Sequence, residues 1–508
     1  MRMRNVLIGP ICVFVIILLL IPSVKARNEN MQKVAGITEP GPRKYEEPAV
    51  SANEDLLVVV YSYKGLGATA THEIRMALSF DGGFTFSAMH PKVSENDNSC
   101  RHPDVHVTKR YFGEYEYNAI YIVWQELTGY YWQINSKSYF IDYEHNLLVL
   151  DEQKYLSKIE NGFLSSIYPR IEGNYLPYET DGIYQYDSAT TVMAVWQQEY
   201  QEQGNFRIRC SYYDYQTHFS QFRSSHTNTL WTDSFDWPMQ PLVESDSIEH
   251  PSIDVHTLRI TVDDSYSYPE FKFAVSYEQR IDYSGSYSYN GCVHSAGGNL
   301  LYTINPNYPA SNFQISSLRR YNLISAGWCY PDVAYYRDDT YYYLTVAFQD
   351  PDDNFAKVDA NGYACSDPEL NLGRCKIPSL RGISLDHIEP EYIFPASSNE
   401  RSSWTNPGGI TVIWRSDVTI PNTQDTYGID SINLEYKNGT LRIIHRYNRG
   451  TDDADGDPNY PYIPIQVFHE TVISADEYID IKSVTGQYSH VSFKRNNEIW
   501  YFSLTNYH

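Results

Sequence analysis

Apolar residues in this chain gather in short runs bounded by Pro, Gly, Asn and Asp, and no long stretch carries apolar residues at a spacing of 3.6. That pattern predicts strands joined by turns and few helices. One unit recurs. It is a Pro, any residue and a β-branched residue, followed by a second apolar strand that ends in an aromatic. It stands at Glu47-Pro48-Ala49-Val50 with Leu56 to Tyr61, at His102-Pro103-Asp104-Val105 with Ile122-Val123-Trp124, and at Tyr168-Pro169-Arg170-Ile171 with Ala194-Val195-Trp196. It returns at His250-Pro251-Ser252-Ile253 with Phe273 to Tyr277, and at Tyr330-Pro331-Asp332-Val333 with Thr345 to Phe348. Asn406-Pro407-Gly408-Gly409-Ile410 is a less regular sixth, and Tyr488-Ser489-His490-Val491 with Ile499-Trp500 reads as a seventh without its proline. Proline is tolerated where a strand begins because no partner needs its missing amide. The copies lie 55 to 82 residues apart, more than four strands need, so tyrosine-rich insertions such as Tyr111 to Tyr117 are implied. Cys210 and Cys292 fall at the same offset from their prolines, on expected third strands.

The stretch Ser79-Phe80-Asp81-Gly82-Gly83-Phe84-Thr85-Phe86 follows another strand pattern and reads as a hairpin turn with its own clasp. Glycine supplies positive φ, the Asp81 carboxylate and the Ser79 and Thr85 hydroxyls satisfy turn amides, and Phe86 packs beneath. The pattern S-x-D-x-G-x-T-[WF] resembles the Asp-box, or BNR repeat, of sialidases and related β-propellers. The resemblance covers eight residues. It implies a blade hairpin between third and fourth strands, away from any active centre, with Ser79, Asp81, Gly83, Thr85 and Phe86 in structural roles. The fold expected is all-β: a single β-propeller over 46–508, of seven four-stranded blades with six as the alternative. Strand material before Pro48 would pair with the last strands near Ser492 to Leu504.

The first 26 residues read as a signal peptide or signal anchor: Met1-Arg2-Met3-Arg4 is basic, Val6 to Ile21 apolar, and Val24-Lys25-Ala26 offers small residues for cleavage. Residues 27–45 are a polar linker that lends a closing strand. The chain is then expected to be secreted or anchored at the outer face of the membrane, touching the bilayer only through an uncleaved segment. The formal charge of −24 argues against nucleic acid as partner, and 47 tyrosines suit broad, wet β surfaces. Six cysteines beyond Cys12 suggest disulfides, with Cys365 and Cys375, which flank one short loop, the favoured pair. Asn438-Gly439-Thr440 is a glycosylation sequon.

Candidate chemistry falls where propeller geometry gathers residues, at the channel mouth. His102, Tyr168, His250 and Tyr330 precede inner strands, and aromatic and polar groups there suit sugar rings. Arg101-His102-Pro103 is similar to the sialidase Arg-Ile-Pro element, with Cys100 and His102 departing from it. That makes Arg101 a candidate substrate ligand and Glu126, Glu199 and Glu278 candidate carboxylates for glycoside cleavage. Asp453, Asp455 and Asp457 alternate in an acidic loop suited to calcium, the one cofactor suggested. Of the two functions this leaves, a binding module for glycan or extracellular protein is preferred to a sialidase-like glycoside hydrolase, because the catalytic-looking element is degraded.

Overall fold

The computed structural model describes residues 32–505 except 36–43, 54–55, 67–69, 96, 113–114, 144–146, 158–162 and, beyond these, the connections between the strands named below; side chains are described for part of 32–213, 247–280 and 490–501. Among the described residues there is no helix. Among the described residues, seven sheets of three or more strands follow one another along the chain, each an antiparallel meander, and Glu179–Asp181 with Tyr184–Tyr186 makes a separate two-stranded hairpin.

Sheet one holds Lys44–Asn53, Leu56–Lys64 and His72–Ser79. Sheet two holds Cys100–Phe112, Tyr115–Thr128, Tyr131–Asp142 and Leu147–Tyr155. Sheet three holds Phe163–Leu176, Ser188–Tyr200, Asn205–Ser220 and Arg223–Thr229. Sheet four holds Ser247–Asp263, Tyr266–Tyr283, Ser286–Leu301 and Asn312–Asn322. Sheet five runs from Asp332–Arg337 to Asn371–Cys375 and sheet six from Phe394–Ser397 to Thr440–Tyr447. Sheet seven holds Ile479–Val484, Tyr488–Arg495 and Glu498–Thr505. Its fourth strand is Gln32–Ala35, paired antiparallel to Glu498–Thr505 with Gln32 opposite Tyr501. The first strand of each sheet contacts the first strand of the next, and that of sheet seven contacts that of sheet one. This is the arrangement of a β-propeller, and the early segment and the last strands meet as the sequence predicts.

The core lies between sheets, as alternation demands when both faces of every strand are covered. Ala49, Val58, Val60, Val105, Val107 and Trp124 pack between sheets one and two. Tyr121, Val123, Ile171, Trp196 and Tyr213 do so between two and three, and Val195, Cys210, Ile253, Val275 and Tyr277 between three and four. Val34, Val50, Val59, Tyr61, Ile499 and Tyr501 fill the space between sheets seven and one. Each fully buried aromatic contributes on the order of 2–3 kcal/mol relative to exposure.

Three expectations are corrected. The Tyr488 unit forms the second strand of sheet seven and Ile499-Trp500 the third, because Ile479–Val484 takes the inner place without a proline to mark it. In sheet six the inner strand is Phe394–Ser397, so Ile410 begins the second strand. Cys100 and Cys210 are buried thiols rather than halves of disulfides, each packed in a different intersheet core. Cys365, Asn438, Asp453, Asp455, Asp457 and Tyr330 lie outside the described residues, as does the side chain of Cys375.

The turn after sheet one has the geometry its sequence predicts. Ser79 Oγ donates to Asp81 Oδ1 at 2.7 Å, Gly83 N donates to Ser79 Oγ at 2.8 Å, and Thr85 donates to Asp81 through N at 2.9 Å and Oγ1 at 2.7 Å. Gly82 and Gly83 hold φ of 68° and 91°. The chain then returns beside the third strand, with Ser87 N bonded to Leu78 O and Val93 N to Ile74 O. Phe86 packs edge-on against Tyr501, so the clasp also ties sheet one to sheet seven.

Candidate active site at the channel mouth

Among the described residues, four that are not glycine have positive φ: Glu47 at 54°, His102 at 47°, Tyr168 at 52° and His250 at 51°. Each is the residue before the repeat's proline. A bulky residue in the left-handed region is an outlier, and a following proline narrows its choices further. The register shows how the conformation is accommodated. In sheet one pairing passes from Glu46–Ser62 to Ala49–Val60, in sheet two from Arg101–Gln125 to Asp104–Val123, and in sheet four from Glu249–Glu278 to Ser252–Ser276. Sheet three shows the same step between Ile167–Gln197 and Arg170–Val195. Two residues of the first strand therefore oppose one of the second, a bulge that leaves the proline with no ladder bond to make. The single residue opposite is Tyr61, Trp124, Trp196 or Tyr277, and all four are fully buried. The aromatic that ends each predicted second strand is the floor beneath the bulge.

The bulges turn the preceding side chains into one group. The rings of His102 and Tyr168 have centroids 4.7 Å apart, and those of Tyr168 and His250 5.4 Å, which makes a continuous arc across sheets two, three and four. Burial holds His102 below the usual imidazole value, against the opposing pull of Glu47.

Charge gathers at one end of the arc. Arg101 donates from Nε to Glu47 Oε1 at 2.8 Å, and its Nη2 lies 2.6 Å from the same oxygen and 3.4 Å from Glu46 Oε2. Glu47 Oε2 accepts from the amide of His102 at 2.8 Å. His72 Nε2 lies 3.3 Å from Glu46 Oε2, and Lys494 of sheet seven 3.9 Å from Glu46 Oε1. The hydrogen bond from His72, opposed by burial and aided by Arg101 and Lys494, brings Glu46 down to about 2. Burial pushes Glu47 up, but His102 and Arg101 more than offset it and leave its carboxyl below the ordinary range. Both acids are ionised at neutral pH. Glu47 is 3% exposed, while Arg101 keeps 27% of its side chain in solvent.

The predicted site residues divide. Arg101 and His102 meet at Glu47, and His102, Tyr168 and His250 form the arc. Glu126 is turned inward, fully buried, and accepts from Asn98, Asn135, Tyr155 and the indole of Trp124 at 2.8–3.3 Å. Glu199 is partly buried near the end of its strand, opposite Phe206. Glu278 pairs in register with Glu249. Glu46, His72 and Lys494 were not singled out by the sequence. The one available signal was that Glu46 stands beside Glu47 at the first mouth position. Among the described residues no cluster of His, Cys, Asp or Glu could hold a metal ion.

No protein-family model matches the chain, and no curated protein matches it in sequence. Solved structures similar in fold include the α-L-arabinofuranosidase Arb93A from Fusarium graminearum with an iminosugar inhibitor. It has a TM-score of 0.42 and 10% identity, covering 79% of this chain and 96% of that one. Trypanosoma rangeli sialidase with the inhibitor DANA gives 0.35 and 8%, over 94% of this chain and 59% of that one. A thermostable family-43 glycoside hydrolase gives 0.29 and 10%, over 81% and 97%. All three have TM-scores below 0.5 at 8–10% identity.

Proposed function

We propose that the chain is a seven-bladed β-propeller that takes a glycan at its channel mouth and acts on it as a glycoside hydrolase of the sialidase-like kind. The observation that carries this reading is the contact arc His102–Tyr168–His250, set beside ionised Glu46 and solvent-reached Arg101. Planar faces with polar edges suit sugar rings, which are apolar on the face and hydroxylated at the rim. Glycoside cleavage passes through an oxocarbenium-like transition state, and an ionised carboxylate beside the anomeric carbon stabilises that charge. Arg101, oriented by Glu47, would hold an acidic or hydroxyl group of the substrate. Seven sheets whose inner strands meet in succession support the blade number. With the N-terminal segment as an export signal, the mouth would face the outside of the cell.

A binding module without turnover is the second reading. It is favoured by the bonds that Arg101 already makes to Glu46 and Glu47. A panel of fluorogenic glycosides, sialosides included, separates the two. Turnover that disappears in Arg101→Ala while the fold is kept supports hydrolysis. Saturable glycan binding without turnover, lost in Tyr168→Ala, supports the module, and neither activity overturns both.

A further inference from the structure

The arc needs three unfavourable backbones to hold at once, and each is held from the sheet before it. The amide of His102 donates to Glu47 Oε2 at 2.8 Å, that of Tyr168 to Gln125 Oε1 at 3.1 Å, and that of His250 to Gln197 Oε1 at 2.7 Å. Gln125 and Gln197 occupy one register position, opposite the residue just before the bulge, in second strands of neighbouring sheets. Their side chains are 5% and 2% exposed, so neither oxygen is there for solvent. The left-handed conformation removes the bulge amide from its own ladder, and a buried amide needs an acceptor. The neighbouring carboxamide supplies it, and in doing so fixes the direction in which the ring leaves the backbone. The same device therefore repeats, with Glu47 serving sheet two, Gln125 sheet three and Gln197 sheet four. In sheet four the residue at this register position is Glu278.

We propose that Gln125 and Gln197 are positioning residues for glycan recognition. Each clamps the amide of the next sheet's mouth residue and so sets the spacing of the His102–Tyr168–His250 arc on which the sugar ring lies. This rests on the glycan reading of the mouth, but the clamp itself is a statement about two side chains and two amides.

The test uses the full chain in three forms, parent, Gln197→Leu and Gln197→Glu. The readouts are the imidazole NMR signals of His250 and the KM and kcat for the fluorogenic glycosides of the panel. Leucine removes the acceptor and glutamate keeps it. The expected result is a His250 signal displaced in Gln197→Leu, with KM raised about tenfold and kcat changed far less, and both returning toward the parent in Gln197→Glu. Such rescue separates positioning from a general loss of packing. If Gln197→Leu does not fold, Gln125→Leu and Gln125→Glu are read through His102, which touches Tyr168. A His signal that leucine leaves unmoved overturns the proposal. A displaced and rescued signal in a protein that neither binds nor turns over any of the glycosides sustains the clamp and sinks the glycan reading alone.

Discussion

The ring of Tyr501 fills the space that a β-carbon on Gly83 would need, with its Cζ 2.5 Å from that position. Tyr501 OH is also bonded to His490 Nδ1 at 2.7 Å, so the ring is fixed from the far side as well. Gly83→Ala would meet both this ring and its own φ of 91°. The expected cost is about 1–3 kcal/mol from strain alone, with the clash added. In a Tyr501→Ala background the clash part should vanish, so the two substitutions are non-additive. Denaturant midpoints of the four proteins of this cycle check it; strict additivity would show that the turn does not bear on the last sheet.

Asp81→Ala is expected to lower stability by about 1–3 kcal/mol, the cost of amides and hydroxyls left unsatisfied. It should leave activity at the mouth unchanged. His72 lies in the mouth's charge cluster, and seven residues of strand, roughly 23 Å at 3.3 Å each, separate it from Ser79 and the turn. Melting temperature and glycoside turnover, measured on the same sample, separate the two effects.

Acid should act first through Glu46. Its folded value of about 2 lies below the ordinary 4.5, so its contribution is complete above about 4.5 and is lost as pH falls toward 2. The amount at stake is about 3 kcal/mol. Glu46→Gln should lower stability at pH 7 and flatten that part of the acid limb. Urea unfolding at pH 7, 4.5 and 3 tests it, and parallel curves for parent and variant would count against it.

Asp104 should act in the opposite sense. Burial raises it to about 6 from 3.8, against the pull of Arg170 and its bonds from Ile171 N and Val105 N. The folded state holds this proton where the unfolded chain has lost it. Stability from this group is therefore present below about 3.8 and is lost as pH rises through 6, by about 3 kcal/mol. In Asp104→Asn that decline should be missing, although the variant is weaker overall because one acceptor oxygen becomes a donor. Denaturant midpoints between pH 4 and 7 give the comparison.

Much of the mouth was legible because Pro and a closing aromatic punctuate four of its strands. Those marks name Glu47, His102, Tyr168 and His250, and the structure puts the last three in one arc. What could not be read is how neighbours meet. Glu46 and Glu47 stand more than fifty residues before Arg101, and no local pattern shows that they clasp its guanidinium. Gln125 and Gln197 look like ordinary polar strand ends until the next sheet is beside them. The inner strand Ile479–Val484 has neither proline nor closing aromatic, whereas the Tyr488 strand beside it carries the clearer marks.

The pairing of Gln32–Ala35 with Glu498–Thr505 also sets the order of events during synthesis. Lys33 and Glu498, joined at 2.6 Å, are 465 residues apart in the chain. At 5–20 residues per second a ribosome takes roughly half a minute to a minute and a half to make what lies between them. For that time the early strand has no partner, and the first sheet presents an uncovered flank to whatever else is in the compartment. Covering that flank therefore waits for Glu498–Thr505 to be made, and until then the nascent protein suits a chaperone.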